Sequence, residues 1–189
     1  MNNNLDIHCK DFFLWYIIGG FRIRELWINN FRRKRKMSEG NENVIEELVR
    51  ALQAEKFACE FFKRMQSSSS DESIKEIFLF FAKEEESHIR LLGKQLAKKA
   101  GYEWNLDDLR PEKFPGLDIP ERDELLEKKL TGKKAIEIAL KIEASAVIFY
   151  RELLKLSSDD EDKKFYSDFI TFEQGHFDQF KKKYDELQS

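Results

Sequence analysis

From Asn43 onward the chain repeats one pattern four times: apolar residues separated alternately by three and four positions, the spacing of a single buried stripe on an α-helix. The first stripe runs Ile45, Leu48, Leu52, Glu55, Cys59, Phe62, and the second Ile74, Phe78, Phe81, Glu85, His88, Leu92, Leu96. The third reads Ile136, Leu140, Glu143, Val147, Tyr150, Leu154, and the fourth Tyr166, Phe169, Glu173, His176, Phe180, Tyr184, Leu187. Four glutamates and two histidines therefore stand where packed helices should bury only apolar groups. A carboxylate does not enter a core unpaired, because it then carries a large desolvation cost or gives up its ionisation. The pattern constrains the chain twice: it must fold as packed helices, and it must hold something positive at their centre.

The six polar residues also recur at one offset, about 88 residues, with Glu55, Glu85 and His88 matched by Glu143, Glu173 and His176. Ser69-Ser70-Asp71-Glu72 and Ser157-Ser158-Asp159-Asp160 share that offset and punctuate two helix pairs, each offering hydroxyls and carboxylates as N-caps. Ser69-x-x-Glu72 and Ser158-x-x-Glu161 have the form of capping boxes. In an antiparallel hairpin, residues equally distant from the turn lie side by side. Glu55 precedes its turn by about 14 residues and Glu85 follows it by about 15, so at about 1.5 Å rise per residue they meet at one level. Glu143 and Glu173 do the same, which brings all four carboxylates to mid-height. All three prolines, Pro111, Pro115 and Pro120, lie between Gly101 and Gly132, a charged stretch too long for a tight turn. The expected fold is all-α: an antiparallel four-helix bundle whose second and third helices are joined by a long crossover, with a short helix around Glu121 to Leu130.

Carboxylate oxygens and imidazole nitrogens suit iron and manganese, and the absence of paired thiolates argues against structural zinc. Four carboxylates carry four negative charges, which two divalent cations neutralise. A Glu from each of two helices plus Glu-x-x-His from each of the other two is the ligand pattern of dinuclear carboxylate centres in helical bundles. The alternative is a metal-free bundle in which these groups form a buried polar network. Cys59, one turn from Glu55, reads as a packed core cysteine rather than a redox partner.

Over roughly residues 43 to 188 the chain resembles the rubrerythrin-related branch of the ferritin-like superfamily, through Glu55, Glu85-x-x-His88, Glu143 and Glu173-x-x-His176. That resemblance implies a non-haem di-iron centre that reacts with peroxide or dioxygen. It implies Glu85 and Glu173 as bridging ligands, His88 and His176 as terminal ones, and Glu55 and Glu143 as terminal carboxylates. Tyr150, seven residues after Glu143, matches a family tyrosine that hydrogen-bonds across the site; it also fits its stripe as an ordinary core aromatic. The chain departs from the family where Leu140 and Ala146 take the places of an additional glutamate near Glu143. No cysteine pairs of a rubredoxin module occur, so electrons are expected from a separate donor protein.

Charge divides the chain. Residues 1–36 hold eight Lys or Arg and three Asp or Glu, whereas the remainder holds 25 basic and 33 acidic residues. The leader contains an apolar run, Phe12 to Phe21, too short to span a bilayer and a poor match to a signal peptide. Two readings fit it: a peripheral anchor, or a gene-model artefact in which Met37 is the true start and the basic run Arg32 to Lys36 is a translated ribosome-binding site. Residues 37–189 would form the bundle domain. With a net charge of −3 and 37% charged residues, the composition speaks against nucleic-acid binding and firm membrane association. Two distant cysteines, Cys9 and Cys59, suit a reducing, cytoplasmic setting. The Phe78-Leu79-Phe80-Phe81 run is apolar on more than one face of its helix, as a homodimer interface would be. The functional expectation is a di-iron or di-manganese protein redox-active toward peroxide or dioxygen, with iron sequestration without turnover, or a metal-free helical interaction module, as alternatives.

Overall fold

The computed structural model describes residues 41–120, 125 and 130–188. Four helices carry the four stripes: α1 (Asn41–Ser68), α2 (Glu72–Ala100), α3 (Gly132–Leu156) and α4 (Asp160–Glu186). Helix α1 packs along α2, α3 along α4, and α1 also touches α3. Helices α2 and α4 are joined through Gln95 Nε2, which donates to Asp162 Oδ1 at 2.9 Å, and through Lys99 Nζ, which donates to Asp162 Oδ2 at 2.7 Å. This is the expected four-helix bundle, and no strand occurs among the described residues. Nearly every stripe position is buried, the six polar ones included, while Ile45, Leu140, Leu154, Tyr184 and Leu187 are half-buried at the ends or margins.

The helix starts differ from expectation. Asp71, not Ser69, caps α2: its carboxylate accepts from the Ser73 and Ile74 backbone N–H groups. Asp159 likewise caps α4 by accepting from Glu161 and Asp162. Each helix begins later than a capping box on Ser69 or Ser158 requires, so Glu72 is the first helical residue and cannot reach back as an N3 glutamate. A carboxylate at the cap also complements the positive end of the helix dipole, which a hydroxyl does not. Replacing Asp71 by Ala is expected to cost about 1 kcal/mol of stability, measured by urea denaturation.

The crossover is more than a solvated strap. A 3-10 turn (Leu106–Asp108) follows the left-handed Gly101 that ends α2, and Phe114, Leu117 and Ile119 are buried. Lys56 on α1 donates to the carbonyls of Leu106 and Leu109, both at 2.7 Å, and Gln53 exchanges hydrogen bonds with Arg110 and Glu112. Phe114 meets Phe149 of α3 at 5.6 Å between ring centroids. The crossover thereby roofs the α1/α3 side. Gly93 allows its close approach to α2, since a Cβ there would fall 2.7 Å from Leu106 Cδ1. The short helix expected around Glu121 to Leu130 falls largely outside the described residues, although Leu125 is helical and buried. The leader lies outside them altogether.

Two aromatic layers sandwich the bundle's middle. Phe62, Phe78, Phe81 and Phe180 form one, with Phe81 and Phe180 centroids 4.3 Å apart. Tyr150, Tyr166 and Phe169 form the other. Between them water is excluded and charges interact strongly.

Candidate metal centre

Periodicity carries Glu85 and His88 to one face of α2, and Glu173 and His176 to one face of α4, because residues three apart are neighbours on a helix. Antiparallel packing then brings the two pairs together: one ligand atom from each of the four residues lies within 4.8 Å of the others. His88 Nδ1 stands 3.2 Å from Glu85 Oε2 and 3.0 Å from Glu173 Oε1. His176 Nδ1 stands 3.3 Å from Glu85 Oε1 and 3.5 Å from Glu173 Oε2. Each of these two glutamates thus turns one oxygen toward each histidine. Glu55, from α1, approaches only His88, at 3.8 Å, and Glu143, from α3, only His176, at 3.6 Å. The imidazole rings lie parallel, 5.2 Å apart at 12°. All six residues are buried, and the 88-residue sequence repeat reappears as an approximate two-fold arrangement.

A family model for rubrerythrin matches residues 46–184. The chain belongs to the rubrerythrin family. Among solved structures, the chain is similar to a hypothetical protein from Pyrococcus furiosus, with a TM-score of 0.57 and 25% identity over 76% of this chain and 90% of that one. No curated protein matches it.

Within this rubrerythrin domain the donor set fits metal ions. Among the described residues, five buried side-chain polar atoms lack a hydrogen-bond partner, and four of them are Glu85 Oε1, Glu143 Oε1, Glu173 Oε1 and His176 Nδ1. Glu173 Oε1 is close to His88 Nδ1 yet off the line of a ring N–H, so the pair attracts by charge without a hydrogen bond. Buried polar atoms left unsatisfied are costly, and their convergence marks a place built for another group.

Burial and the neighbouring charges set the proton affinities within the cluster. Burial pushes the Glu55 carboxyl well above its ordinary range, and the charges of Glu173 and Glu85 push it further. Burial also raises Glu143, against the pull of His176. Glu85 is lowered: burial acts to raise it, but its close polar neighbours Glu55, His176 and His88 outweigh that. Glu173 is lowered too, because His88 and His176 overcome burial and the Glu85 charge. Burial opposes the imidazolium forms, but the surrounding carboxylates win, raising His88 and pushing His176 up to about 12. Burial thus favours the protonated carboxyls of Glu55 and Glu143, while the clustered charges favour ionised Glu85 and Glu173 and protonated imidazoles.

The Tyr150 hydroxyl, on α3, donates to Glu55 Oε1 on α1. Burial raises the phenol well above its ordinary value, with the Glu55 and Glu173 charges adding, so it stays a donor. Tyr150→Phe would leave Glu55 Oε1 short of a partner. A loss of about 1–3 kcal/mol in the stability of the metal-free protein is expected, with helicity unchanged, by denaturant titration followed by circular dichroism. Cys59 is a core cysteine, donating to the Ala82 carbonyl at 3.5 Å, and burial raises its thiol to about 11. Sequence reasoning missed Phe172, whose ring stacks on His88 at 5.5 Å and 23°. Its signal was an apolar residue just off the stripe, directly before Glu173.

Proposed function

We propose that the chain is a dinuclear non-haem iron protein, with manganese as the alternative metal, that reduces peroxide or dioxygen with electrons from a separate donor protein. The observation that carries this reading is the sharing of Glu85 and Glu173, each with one oxygen toward each histidine, as two bridging carboxylates require. Glu55 with His88, and Glu143 with His176, would complete the two ends. Bound there, two ferrous ions would supply the two electrons that reduce peroxide to water.

The chain's own groups supply the setting. Tyr150 holds Glu55 through its hydroxyl and keeps the outer oxygen of that carboxyl engaged. Phe81 and Phe169 wall the site, packing against His176 at 4.7 Å and His88 at 5.2 Å, which keeps bulk water from the reacting volume.

Iron sequestration without turnover is the second reading. It is favoured by Leu140 and Ala146, which leave no further carboxylate one turn from Glu143. Anaerobic loading with ferrous iron, then measured additions of peroxide with a chemical reductant present, separates the readings. Sustained consumption is expected; consumption that stops after one round would establish sequestration, and failure to bind metal would leave an interaction module.

Among the described residues no helix is long and apolar enough to cross a membrane. A cytoplasmic homodimer acting against oxidants completes the proposal, supported by the exposure of Leu79 and Phe80 on α2. Leu79→Glu with Phe80→Glu is expected to halve the mass observed by light scattering.

A further inference from the structure

We infer that Phe172 is the gate through which metal ions enter and leave the site, opening and closing over His88 by side-chain rotation. The inference rests on the metal reading above and adds a route to it. Of the three aromatic rings in contact with His88, Phe169 and His176 are buried, whereas Phe172 is 41% exposed. His88 is 3% and His176 5% exposed, so neither imidazole is open to solvent and the ends differ in the ring that covers them. One phenyl ring therefore stands with one face on a ligand imidazole and the other toward solvent.

The two ends of the site differ here, although the sequence repeat makes them equivalent elsewhere. His176 meets Phe81 edge-on at 4.7 Å, and Phe81 is wholly buried in the aromatic layer with Phe180 and Phe62. At the 88-residue offset the counterpart of Phe172 is Glu84, which does not reproduce the phenyl cover. The α1/α3 side lies under the crossover, whose Phe114 is buried against Phe149. The α2/α4 side at His88 is covered by a ring that can move without any helix moving. Rotamer changes of exposed side chains are fast, and one turn further along α4 Gly175 has no neighbour within 4 Å of where a Cβ would be, which leaves room for the displaced ring. A hydrophobic cover of this kind sets solvent access and hence exchange rates, while affinity is set by the ligands beneath it.

The test uses the full chain and Fe2+ alone under anaerobic conditions, following uptake by stopped flow and release to a ferrous chelator. Phe172→Ala is expected to accelerate both uptake and release by about tenfold, equivalent to about 1.4 kcal/mol off the barrier, with their ratio and the metal stoichiometry unchanged. Phe172→Trp should slow both. Leu156→Ala, at an exposed position at the end of α3, is the control and should leave both rates alone. Should Phe172→Ala fail to fold, Phe172→Leu and Phe172→Trp carry the same comparison. Release accelerated without uptake would show that Phe172 orients His88 and does not gate it. A change in oligomeric state at unaltered rates would make Phe172 an interface residue, and equal acceleration in Leu156→Ala would assign exchange to breathing of the whole bundle; each overturns the gate. A wild-type chain that takes up no Fe2+ overturns the metal reading and the gate together, whereas wild-type loading with unchanged rates in the Phe172 variants overturns the gate alone.

Discussion

Replacement of Glu173 by alanine is expected to abolish binding of a metal pair while leaving helical content nearly intact. Glu173 turns Oε1 toward His88, at 3.0 Å, and Oε2 toward His176, at 3.5 Å, so its loss removes a ligand from both ends at once. Three carboxylates then remain, and two divalent ions would leave an excess positive charge in a core that cannot solvate it. Glu85→Ala should act alike, for its two oxygens approach the same two histidines. The end carboxylates are expected to behave differently: Glu55 approaches only His88 and Glu143 only His176, so either alanine variant should weaken one ion more than the other. Helices survive in every case because the aromatic layers on both sides remain packed. Elemental analysis with circular dichroism gives the answer. Two metals per chain in Glu173→Ala or Glu85→Ala would remove the bridging assignment.

Loading of the metal pair is expected to release protons, because burial raises Glu55 and Glu143, the surrounding carboxylates raise both histidines, and each must give up its proton to act as a ligand. Each proton displaced contributes about a factor of ten in affinity per pH unit, so affinity for the pair should rise steeply with pH.

Stability follows with opposite signs. In the metal-free chain Glu55 and Glu143 are raised, so their contribution is present below the ordinary 4.5 and is lost as pH rises toward their folded values. The histidines contribute fully below 6.5, and His176 loses its share only as pH rises toward about 12. Glu85 and Glu173 are lowered, so their contribution is present above 4.5 and lost as pH falls. The metal-free site is therefore best satisfied in mild acid and worsens through neutrality, while metal affinity rises over the same interval. The difference in melting temperature between loaded and metal-free protein should widen between about pH 5 and pH 8. A difference that stays constant, or loading without proton release, would count against the protonation pattern.

The bundle and the polar residues at its centre were legible in the sequence because burial imposes a period. A helix that shows one face to its neighbours must repeat its apolar residues at threes and fours, and Glu85 or Glu173 within such a run declares itself buried. Other features left weaker marks. Both Ser69 and Asp71 are good cap residues, and only the backbone path decides which one precedes the first helical turn. Phe114, Leu117 and Ile119 follow no period, since an irregular segment buries whichever side chains happen to face the bundle. The bond from Tyr150 to Glu55 joins α3 to α1, and spacing along either helix does not encode it; the family resemblance alone pointed there.

Helix number, the buried faces, the ligand types and the level at which they meet follow from the order of residues, because rise per residue and turn position are local quantities. Two features needed the tertiary structure. One is the geometry of the six buried polar residues: Glu85 and Glu173 each face both histidines, an arrangement that the family resemblance implied and that spacing does not encode. The other is the unequal covering of the two ends, His176 packed against the buried Phe81 and His88 against the exposed Phe172. Both depend on the separation and rotation of helices that are distant in sequence. A stripe specifies which face turns inward, and packing alone specifies which side chain it finds there.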